Sequence, residues 1–164
     1  MGKDMCVPCE NGLINIRVGA IILKDNKLLM VRNLERPNYY YTVGGRIQFG
    51  EETDEAIIRE VYEETGYKMK IDHLAYIHEN YFYSDTVVNK GKLVYEISFF
   101  YYMQVPEDFA IKQEVFLDGE NEEYLEWIDV DTDILYYPKF LKEEIKKKNT
   151  GLKFFTTNCQ KDIK

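Results

Sequence analysis

The sequence predicts a single domain of mixed α and β structure, and three observations support this fold class. The chain has 164 residues, a length at which hydrophobic cores usually stay undivided, and residues 1–164 contain no repeat or Pro/Gly/Ser-rich linker. Most predicted elements are strands, and helical patterns occur only in the middle and near the end of the chain. Hydrophobic residues make up 45% and charged residues 30%, which is typical of a globular protein. We therefore expect an α/β (α+β) fold.

The first elements read as a hairpin followed by a third strand. A buried strand over 16–23 and a second strand over 27–32 flank the turn 24–26. The β-prone segment 39–43 then runs into two consecutive glycines. Further strands are expected over 70–83, 93–104, 124–129 and 152–157.

Two helices are expected among these strands. Residues 53–65 carry a helical pattern, with Thr53 or Asp54 as the N-cap and Gly66 at the C-terminal stop. Pro138 suits the first turn of a second helix that reaches to about Lys148.

The charge balance and the cysteines limit the classes of partner and compartment. With 21 basic and 29 acidic residues the net charge is −8, which argues against nucleic acid as a partner. No apolar run approaches the ~20 residues that span a bilayer, and the N-terminus lacks the apolar stretch of a secretory signal. Three cysteines and no signal indicate a reduced, cytoplasmic protein. Cys6 and Cys9 lack a second pair for zinc, so we expect a flexible N-terminal segment of about ten residues.

The first predicted helix has an apolar side and an acidic side. Glu60, Glu63 and Glu64 fall within one arc of about 100°. A separate arc that can face a core carries Ile57, Ile58, Val61 and Tyr62. The simplest interpretation is a solvated acidic face. Clustered carboxylates beside a double glycine also suit Mg²⁺ or Mn²⁺, and spacing alone leaves both interpretations open.

The stretch from Gly45 to Tyr67 resembles the Nudix box, whose pattern is G-x5-E-x7-R-E-U-x-E-E-x-G-U, with U a bulky aliphatic residue. The matching positions are Gly45, Glu51, Arg59, Glu60, Val61, Glu63, Glu64 and Gly66. Tyr67 departs from the aliphatic residue usual there, at a position that looks like packing rather than chemistry. Val43 stands where the family commonly has proline before the double glycine.

The resemblance implies a Nudix-type α/β/α sandwich with a mixed β-sheet between helices. It also implies Mg²⁺- or Mn²⁺-dependent hydrolysis of a nucleoside diphosphate linked to another group X, with metal-activated water attacking phosphorus. Glu60 and Glu64 are the implied metal ligands, with Glu63 as a further ligand or the proton acceptor. The backbone carbonyl of Gly44 would be an additional ligand.

Residues around this implied centre have supporting roles in the resemblance. Arg59 and Glu51 look like the pair that orients the catalytic helix. The family often takes a further carboxylate from outside the box, and the candidates here are Glu96, Glu123 and Glu126. We prefer Glu126, which precedes the only Trp on a strand expected to border the cleft. For each of these acids, a solvent-facing side chain is the alternative.

Substrate contacts are less well defined by the sequence. Aromatic residues make up 15% of the chain, and aromatic faces can stack a nucleobase, although filling a sheet-face core is the alternative. Arg46 directly follows the glycines, and strand arginines such as Arg17 are further candidates for phosphate contacts, if they are not simply exposed. The candidate substrate-binding residues are Tyr39, Tyr41, Arg32, Arg46 and Glu126.

The leading interpretation is therefore a Nudix pyrophosphohydrolase acting on a small phosphorylated nucleotide. Noncanonical nucleoside triphosphates, ADP-ribose or another nucleotide sugar, and dinucleoside polyphosphates remain open as substrates. A non-hydrolytic domain that senses a nucleotide or ADP-ribose is the alternative from a different class. Isoprenoid diphosphate isomerisation on the same fold is a third. The resemblance also allows a homodimer, which the sequence does not show.

Overall fold

A mixed β-sheet is the centre of the computed structural model, which describes residues 2–34, 38–111, 115–118, 121–147 and 151–161. The strands are β1 (Cys6–Cys9), β2 (Gly12–Ile21), β3 (Leu23–Lys24), β4 (Lys27–Asn33), β5 (Tyr40–Arg46), β6 (Lys70–Tyr83), β7 (Leu93–Gln104), β8 (Val115–Asp118), β9 (Asn121–Asp129), β10 (Tyr136–Tyr137) and β11 (Lys153–Asn158). The helices are α1 (Thr53–Thr65) and α2 (Leu141–Glu144). Among the described residues, no helix combines the length and apolar character needed to cross a membrane.

The sheet order over these residues is β11-β6-β7-β2-β5-β4-β9-β8. Strands β1, β3 and β10 add to β2, β4 and β5, respectively. The pairs β2–β7, β6–β11 and β5–β10 are parallel, and the other pairs are antiparallel, which confirms the predicted mixed sheet.

Alternating side chains place a hydrophobic cluster on each face of the sheet. On one face, Val18 and Ala20 of β2 share a buried cluster with Ile57 and Val61 of α1. On the other, Ile21 shares a second cluster that includes Leu141 of α2. This strand-period alternation puts one helix on each side of the sheet, as in the expected sandwich.

The first hairpin forms where the sequence predicts it. Asp25 and Asn26 adopt positive φ angles of 51° and 60°, the backbone of the tight turn that matches the twist of two antiparallel strands. Strand β2 ends at Ile21 rather than at residue 23, and the hairpin itself is closed by the short pair β3–β4. The strands expected over 70–83 and 93–104 are confirmed with those bounds.

The helix termini agree in part with the sequence analysis. Gly66 ends α1 in a left-handed conformation with φ 75°, as predicted. The N-cap is Glu52, so the prediction of Thr53 or Asp54 is wrong. The backbone N–H of Glu52 is satisfied by the Glu55 carboxylate at 3.0 Å, which lets the helix begin one residue earlier.

The second helix is much shorter than predicted. Only Leu141–Glu144 is helical, and Pro138 lies before it in a cis peptide bond with Tyr137. A helix from Pro138 to about Lys148 is therefore wrong over 138–140 and 145–147, and residue 148 lies outside the described residues.

The buried side of α1 also differs from the prediction. Ala56, Ile57, Val61 and Thr65 are buried, whereas Ile58 and Tyr62 are exposed by 37% and 48%. The helix is rotated so that its contact with the sheet includes part of the acidic arc. The carboxylates of that arc are therefore not a fully solvated face.

The N-terminal segment, for which the sequence analysis expects flexibility, is paired with the rest of the sheet. Cys6–Cys9 pairs antiparallel with β2, and Asp4 forms an isolated bridge with Gln48. Cys6, Cys9 and Cys159 are free thiols.

Candidate active site

The end of β5 and the start of the acidic face of α1 are in direct contact. Gly44 has a φ of 145°, and a β-carbon on it would lie 2.2 Å from the carbonyl oxygen of Val18. A β-carbon on Gly45 would lie 2.5 Å from Oε2 of Glu60. Glycine is therefore required at both positions, once for backbone conformation and once for the approach of a carboxylate.

Arg59 links the loop before α1 to the acidic face. Its guanidinium donates to both oxygens of Glu51, at 2.7 and 2.9 Å, and Nη1 donates to Glu60 Oε1 at 2.7 Å. Nη2 also donates to the carbonyl oxygen of Arg46 at 3.1 Å, at the end of β5. These bonds hold the pKa of Glu51 below its ordinary value. The guanidinium thus ties the loop before α1 and the end of β5 to the acidic face of the helix.

Glu64 carries an enclosed oxygen atom. Its Oε2 is buried and has no hydrogen-bond partner among the described residues, while the backbone N–H of Gly44 donates to the same carboxylate. Burial, followed by the negative charges of Glu60 and Glu123, raises the pKa of Glu64 well above its ordinary value. Burial also raises the pKa of Glu60, despite its bond from Arg59. A buried acceptor without a donor indicates a position for an external ligand.

The three candidate carboxylates outside the box occupy different surroundings. Glu123 is 7% exposed, interacts electrostatically with Glu64 and accepts a hydrogen bond from the phenol of Tyr41. Glu126 instead accepts from Arg32 Nε at 3.2 Å and from Tyr40 at 3.1 Å.

Glu96 is bonded to Asn15 Nδ2 at 2.7 Å and to Ser98 Oγ at 3.3 Å, and it acts on Arg17 as Glu60 and Glu64 do. The structure thus brings Glu123 next to Glu64 and does not bring Glu126 there. Side-chain alternation along β9 distinguishes these two glutamates. Glu123 is two residues from the buried Leu125 and shares its face, whereas Glu126 faces the other way.

Tyr41 also belongs to this acidic centre. Burial and the bond to Glu123 raise its pKa above the ordinary range of a phenol, so it remains a neutral donor. Tyr39 stacks on Tyr137 with ring centroids 4.6 Å apart. The two tyrosines predicted as substrate contacts therefore have different partners. Tyr41 is bonded to the carboxylate of Glu123, and Tyr39 packs on Tyr137 of β10.

The predicted arginines form two groups. Arg46 lies opposite Arg17 in the β2–β5 register, and its Nε donates to Asn15 Oδ1 at 3.1 Å. Burial lowers the pKa of Arg17, but nearby carboxylates outweigh this effect and raise it. Those carboxylates belong to Glu96, Glu60 and Glu64. Arg32 forms the second group, with Glu126 and with the ring of Tyr124, whose centroid is 5.5 Å from its guanidinium carbon.

Comparison with known proteins identifies the family. The model of the NUDIX domain matches residues 14–147. This chain belongs to the Nudix family. An ADP-ribose pyrophosphatase of Methanocaldococcus jannaschii is 38% identical over 61 residues, which span 36% of this chain and 36% of that relative.

Solved structures share the Nudix fold. A mutator MutT protein from Bacillus halodurans superposes with a TM-score of 0.62 and 19% identity, covering 89% of this chain and 92% of that one. An ADP-ribose pyrophosphatase from Streptococcus suis gives a TM-score of 0.54 and 15% identity, covering 87% and 98% of the two chains. At these identities the likeness concerns the fold.

The Nudix box also behaves as expected at its one departure from the pattern. Tyr67 is partly buried against the cluster under α1, and its ring meets Phe109 edge-on at 4.9 Å. The aromatic side chain thus fills core space, as the sequence analysis expects. Glu63, in contrast, is half-exposed and reaches Arg59 Nη1 at 3.3 Å.

The donor set of the Nudix box fits a small divalent cation. Within the described ranges, no group of three or more His, Cys, Asp and Glu side chains forms a ready metal-binding arrangement. Mg²⁺, however, commonly takes one or two carboxylates and completes its shell with water and substrate phosphates. The enclosed oxygen of Glu64, with Glu60 as its acidic neighbour, supplies that kind of partial site.

Proposed function

We propose that this Nudix protein is a hydrolase that cleaves a phosphoanhydride bond of a nucleoside diphosphate linked to another group. The observation that carries the proposal is the enclosed, unpartnered Oε2 of Glu64 beside the carboxylate of Glu60. Two neighbouring, partly buried carboxylates repel each other, and a bound cation removes this repulsion. An acidic site of this kind suits a phosphate substrate only when a cation lies between them.

Glu60 and Glu64 would hold Mg²⁺ or Mn²⁺. When bound, the cation neutralises the diphosphate and lowers the pKa of a coordinated water. Arg59 keeps Glu60 in place through the bond between Nη1 and Oε1. Gly44 N–H orients the second carboxylate, and its carbonyl remains our candidate for an additional ligand.

Proton transfer from the attacking water requires a carboxylate that can reach it. Glu63 is our candidate acceptor, because it lies on the same helix and its side chain, at 55% exposure, is open to solvent. Glu123 is our candidate for the carboxylate from outside the box. Its bond from Tyr41 fixes the carboxylate orientation next to Glu64.

The polar side chains near Glu60 and Glu64 support a nucleotide sugar as the substrate class. Arg17 and Arg46 lie side by side and would contact phosphate oxygens. Asn15, Glu96 and Ser98 form a connected row of donors and acceptors beside them, which suits the hydroxyl groups of a sugar. The name of the relative from M. jannaschii, an ADP-ribose pyrophosphatase, points in the same direction.

The base would stack on aromatic side chains at the other group of predicted contacts. The candidate for this contact is Tyr39, which stacks on Tyr137 and whose ring centroid lies 5.8 Å from that of Tyr41. Arg32 and Glu126 are joined to Tyr40, which faces the other side of the sheet, and they form a separate group. Aromatic faces provide about 1–3 kcal/mol per stacked base in other proteins.

The test is a panel of ADP-ribose, other nucleotide sugars, dinucleoside polyphosphates and noncanonical nucleoside triphosphates with Mg²⁺ or Mn²⁺. Products are detected as phosphate released by an added phosphatase. We expect turnover of at least one nucleotide sugar by the native chain and by E143Q, a control on exposed Glu143 of α2. E64Q should fold normally, by circular dichroism, and lose hydrolysis.

Two results would contradict this proposal. Retained turnover by E64Q with Mg²⁺ would show that the Glu64 carboxylate is not a required metal ligand. Absence of turnover across the panel, with a nucleotide still bound in calorimetry, would favour the non-hydrolytic sensing domain.

We further propose that the protein works in the cytoplasm on a small phosphorylated substrate and not on nucleic acid or at a membrane. The net charge of −8 supports this, since a polyanion or an anionic lipid surface would be repelled. A homodimer stays a prediction, which sedimentation of the purified protein would test.

A further inference from the structure

An N-terminal arm, defined here as residues 2–9, lies outside the part of the chain that matches the NUDIX domain, 14–147. Its second half is β1, which pairs with the first residues of β2. Its first half crosses to the loop that precedes α1. The arm therefore lies beside residues 12–15 of β2, whereas β5 pairs with residues 17–20 of the same strand.

Met5 lies at the centre of this crossing. Its N–H donates to the carbonyl of Ile47 at 2.8 Å, and its own carbonyl accepts from Ile16 N at 3.0 Å. Its side chain packs against the hydrophobic cluster beneath α1. Met5 thus contacts β2, the loop that precedes α1 and the hydrophobic cluster beneath α1.

The rest of the arm continues along the same loop. Phe49 N donates to the carbonyl of Lys3 at 2.8 Å, and Gly2 N donates to Gln48 Oε1 at 3.2 Å. Asp4 lies opposite Gln48, and its carboxylate is 3.7 Å from Nη1 of Arg46. We name residues 47–51 the pre-helix loop.

The pre-helix loop in turn fixes Glu51. Gln48 N donates to Glu51 Oε2 at 3.1 Å, and Glu51 N donates to the Gln48 carbonyl at 3.0 Å. Glu51 then holds Arg59 through two hydrogen bonds, and Arg59 holds Glu60. A continuous series of short contacts therefore runs from the arm to a candidate metal ligand.

We propose that the N-terminal arm is a positioning element of the active site, which sets the pre-helix loop and, through Glu51 and Arg59, the carboxylate of Glu60. Its effect on turnover rests on the proposed function, but its effect on Arg59 does not. Because the arm touches neither Glu60 nor Glu64 directly, its loss should lower kcat and weaken cation binding more than it raises KM.

The experiment compares M5P with M5L in the full chain. Proline removes the N–H that donates to the carbonyl oxygen of Ile47. Leucine keeps that N–H and has an apolar side chain of similar size. The Nε–H signal of Arg59 in NMR reports the active site, and the indole N–H signal of Trp127 reports the fold. We expect M5P to shift or broaden the Arg59 signal, to weaken Mn²⁺ binding about tenfold and to lower kcat by a similar factor. M5L should behave like the native chain.

A second variant covers the case in which M5P fails to fold. A chain without residues 1–4 keeps Met5 and β1 but loses the contacts of Gly2 and Lys3 with the pre-helix loop. It should change the Arg59 signal in the same direction while the Trp127 signal stays in place. An unchanged Arg59 signal and unchanged Mn²⁺ affinity in this variant would overturn the inference. If the native chain hydrolyses nothing on the panel, the proposed function fails, and the Arg59 signal still decides whether the arm positions the site.

Discussion

The carboxylate of Glu60 occupies the space that a side chain on Gly45 would need. The contact joins the last residues of β5 to the third turn of α1, and it brings the carboxylate to the edge of the sheet. The two adjacent glycines there have different functions. Gly44 allows a backbone conformation that a side chain would strain, and Gly45 leaves room for the Glu60 carboxylate.

The variants G45A and G44A should separate these two functions. In G45A the new methyl group meets only the flexible end of Glu60, so we expect a normal fold, a small change in Tm and hydrolysis lowered about tenfold or more. In G44A the methyl group meets the carbonyl of Val18 in a positive-φ backbone, so we expect a loss of at least about 2 kcal/mol of unfolding free energy. Thermal unfolding and steady-state kinetics measure both. Equal destabilisation by the two substitutions would show that Gly45 is a structural glycine like its neighbour.

The variants E123Q and E126Q should identify the carboxylate that acts from outside the box. Glu123 lies beside Glu64, so E123Q should lower kcat about 10–100-fold with little change in KM. Glu126 is bonded to Arg32 and Tyr40, so E126Q should act mainly through KM. The reverse pattern would restore Glu126 as the preferred residue.

The end of α1 offers a test of backbone conformation without a packing change. Gly66 has a φ of 75°, and a β-carbon on it would meet nothing within 4 Å. We expect G66A to lower the unfolding free energy by about 1 kcal/mol, because alanine disfavours the left-handed region. G66N should cost less, since asparagine tolerates that region better. Equal values for the two variants in urea denaturation would argue that φ is not the cause.

The stability of the protein should fall with acidification because of His78. Burial lowers the pKa of this side chain from 6.5 to about 4, and its Nε2 lies 2.8 Å from the Thr157 hydroxyl. The unfolded state binds a proton below pH 6.5 and the folded state only near pH 4, so this contribution is complete above 6.5 and is lost toward 4.

Between pH 7 and pH 5 the loss from this residue amounts to about 2 kcal/mol. Urea denaturation at several pH values measures it, and H78Q should show a shallower decline over the same range. An identical slope in H78Q and the native chain would assign the acid sensitivity to other groups.

Local patterns in the sequence were sufficient for much of this architecture. The bounds of α1 and of β6 and β7 agree with their predicted ranges, because helix and strand periodicity and the stop at Gly66 are properties of neighbouring residues. The sequence analysis expects the double glycine to bring a backbone carbonyl to the acidic face, and in the structure the N–H of Gly44 donates to Glu64.

Other features depend on contacts between distant segments and left no local signal. The rotation of α1 that exposes Ile58 and Tyr62 is set by the sheet beneath it, since Ile58 has the same side chain as the buried Ile57. The pairing of the N-terminal arm depends on the space left beside β2 and could not be read from a segment with two cysteines and a proline. Alternation along β9 puts Glu123 and Glu126 on opposite faces, but the register of β9 against β4 decides which face lies beside α1.

The parallel pairing of β2 with β7 has a consequence for how the protein reaches its native state. Ile14 lies opposite Tyr95, about 80 positions later in the chain, and such distant pairings slow folding because a long loop must close first. Tyr41 and Glu123 are similarly far apart in sequence. We expect α1 to regain helical circular dichroism early in refolding and substrate turnover to return only later, when the outer strands have docked. A partly folded chain would then carry the complete Nudix box and remain inactive.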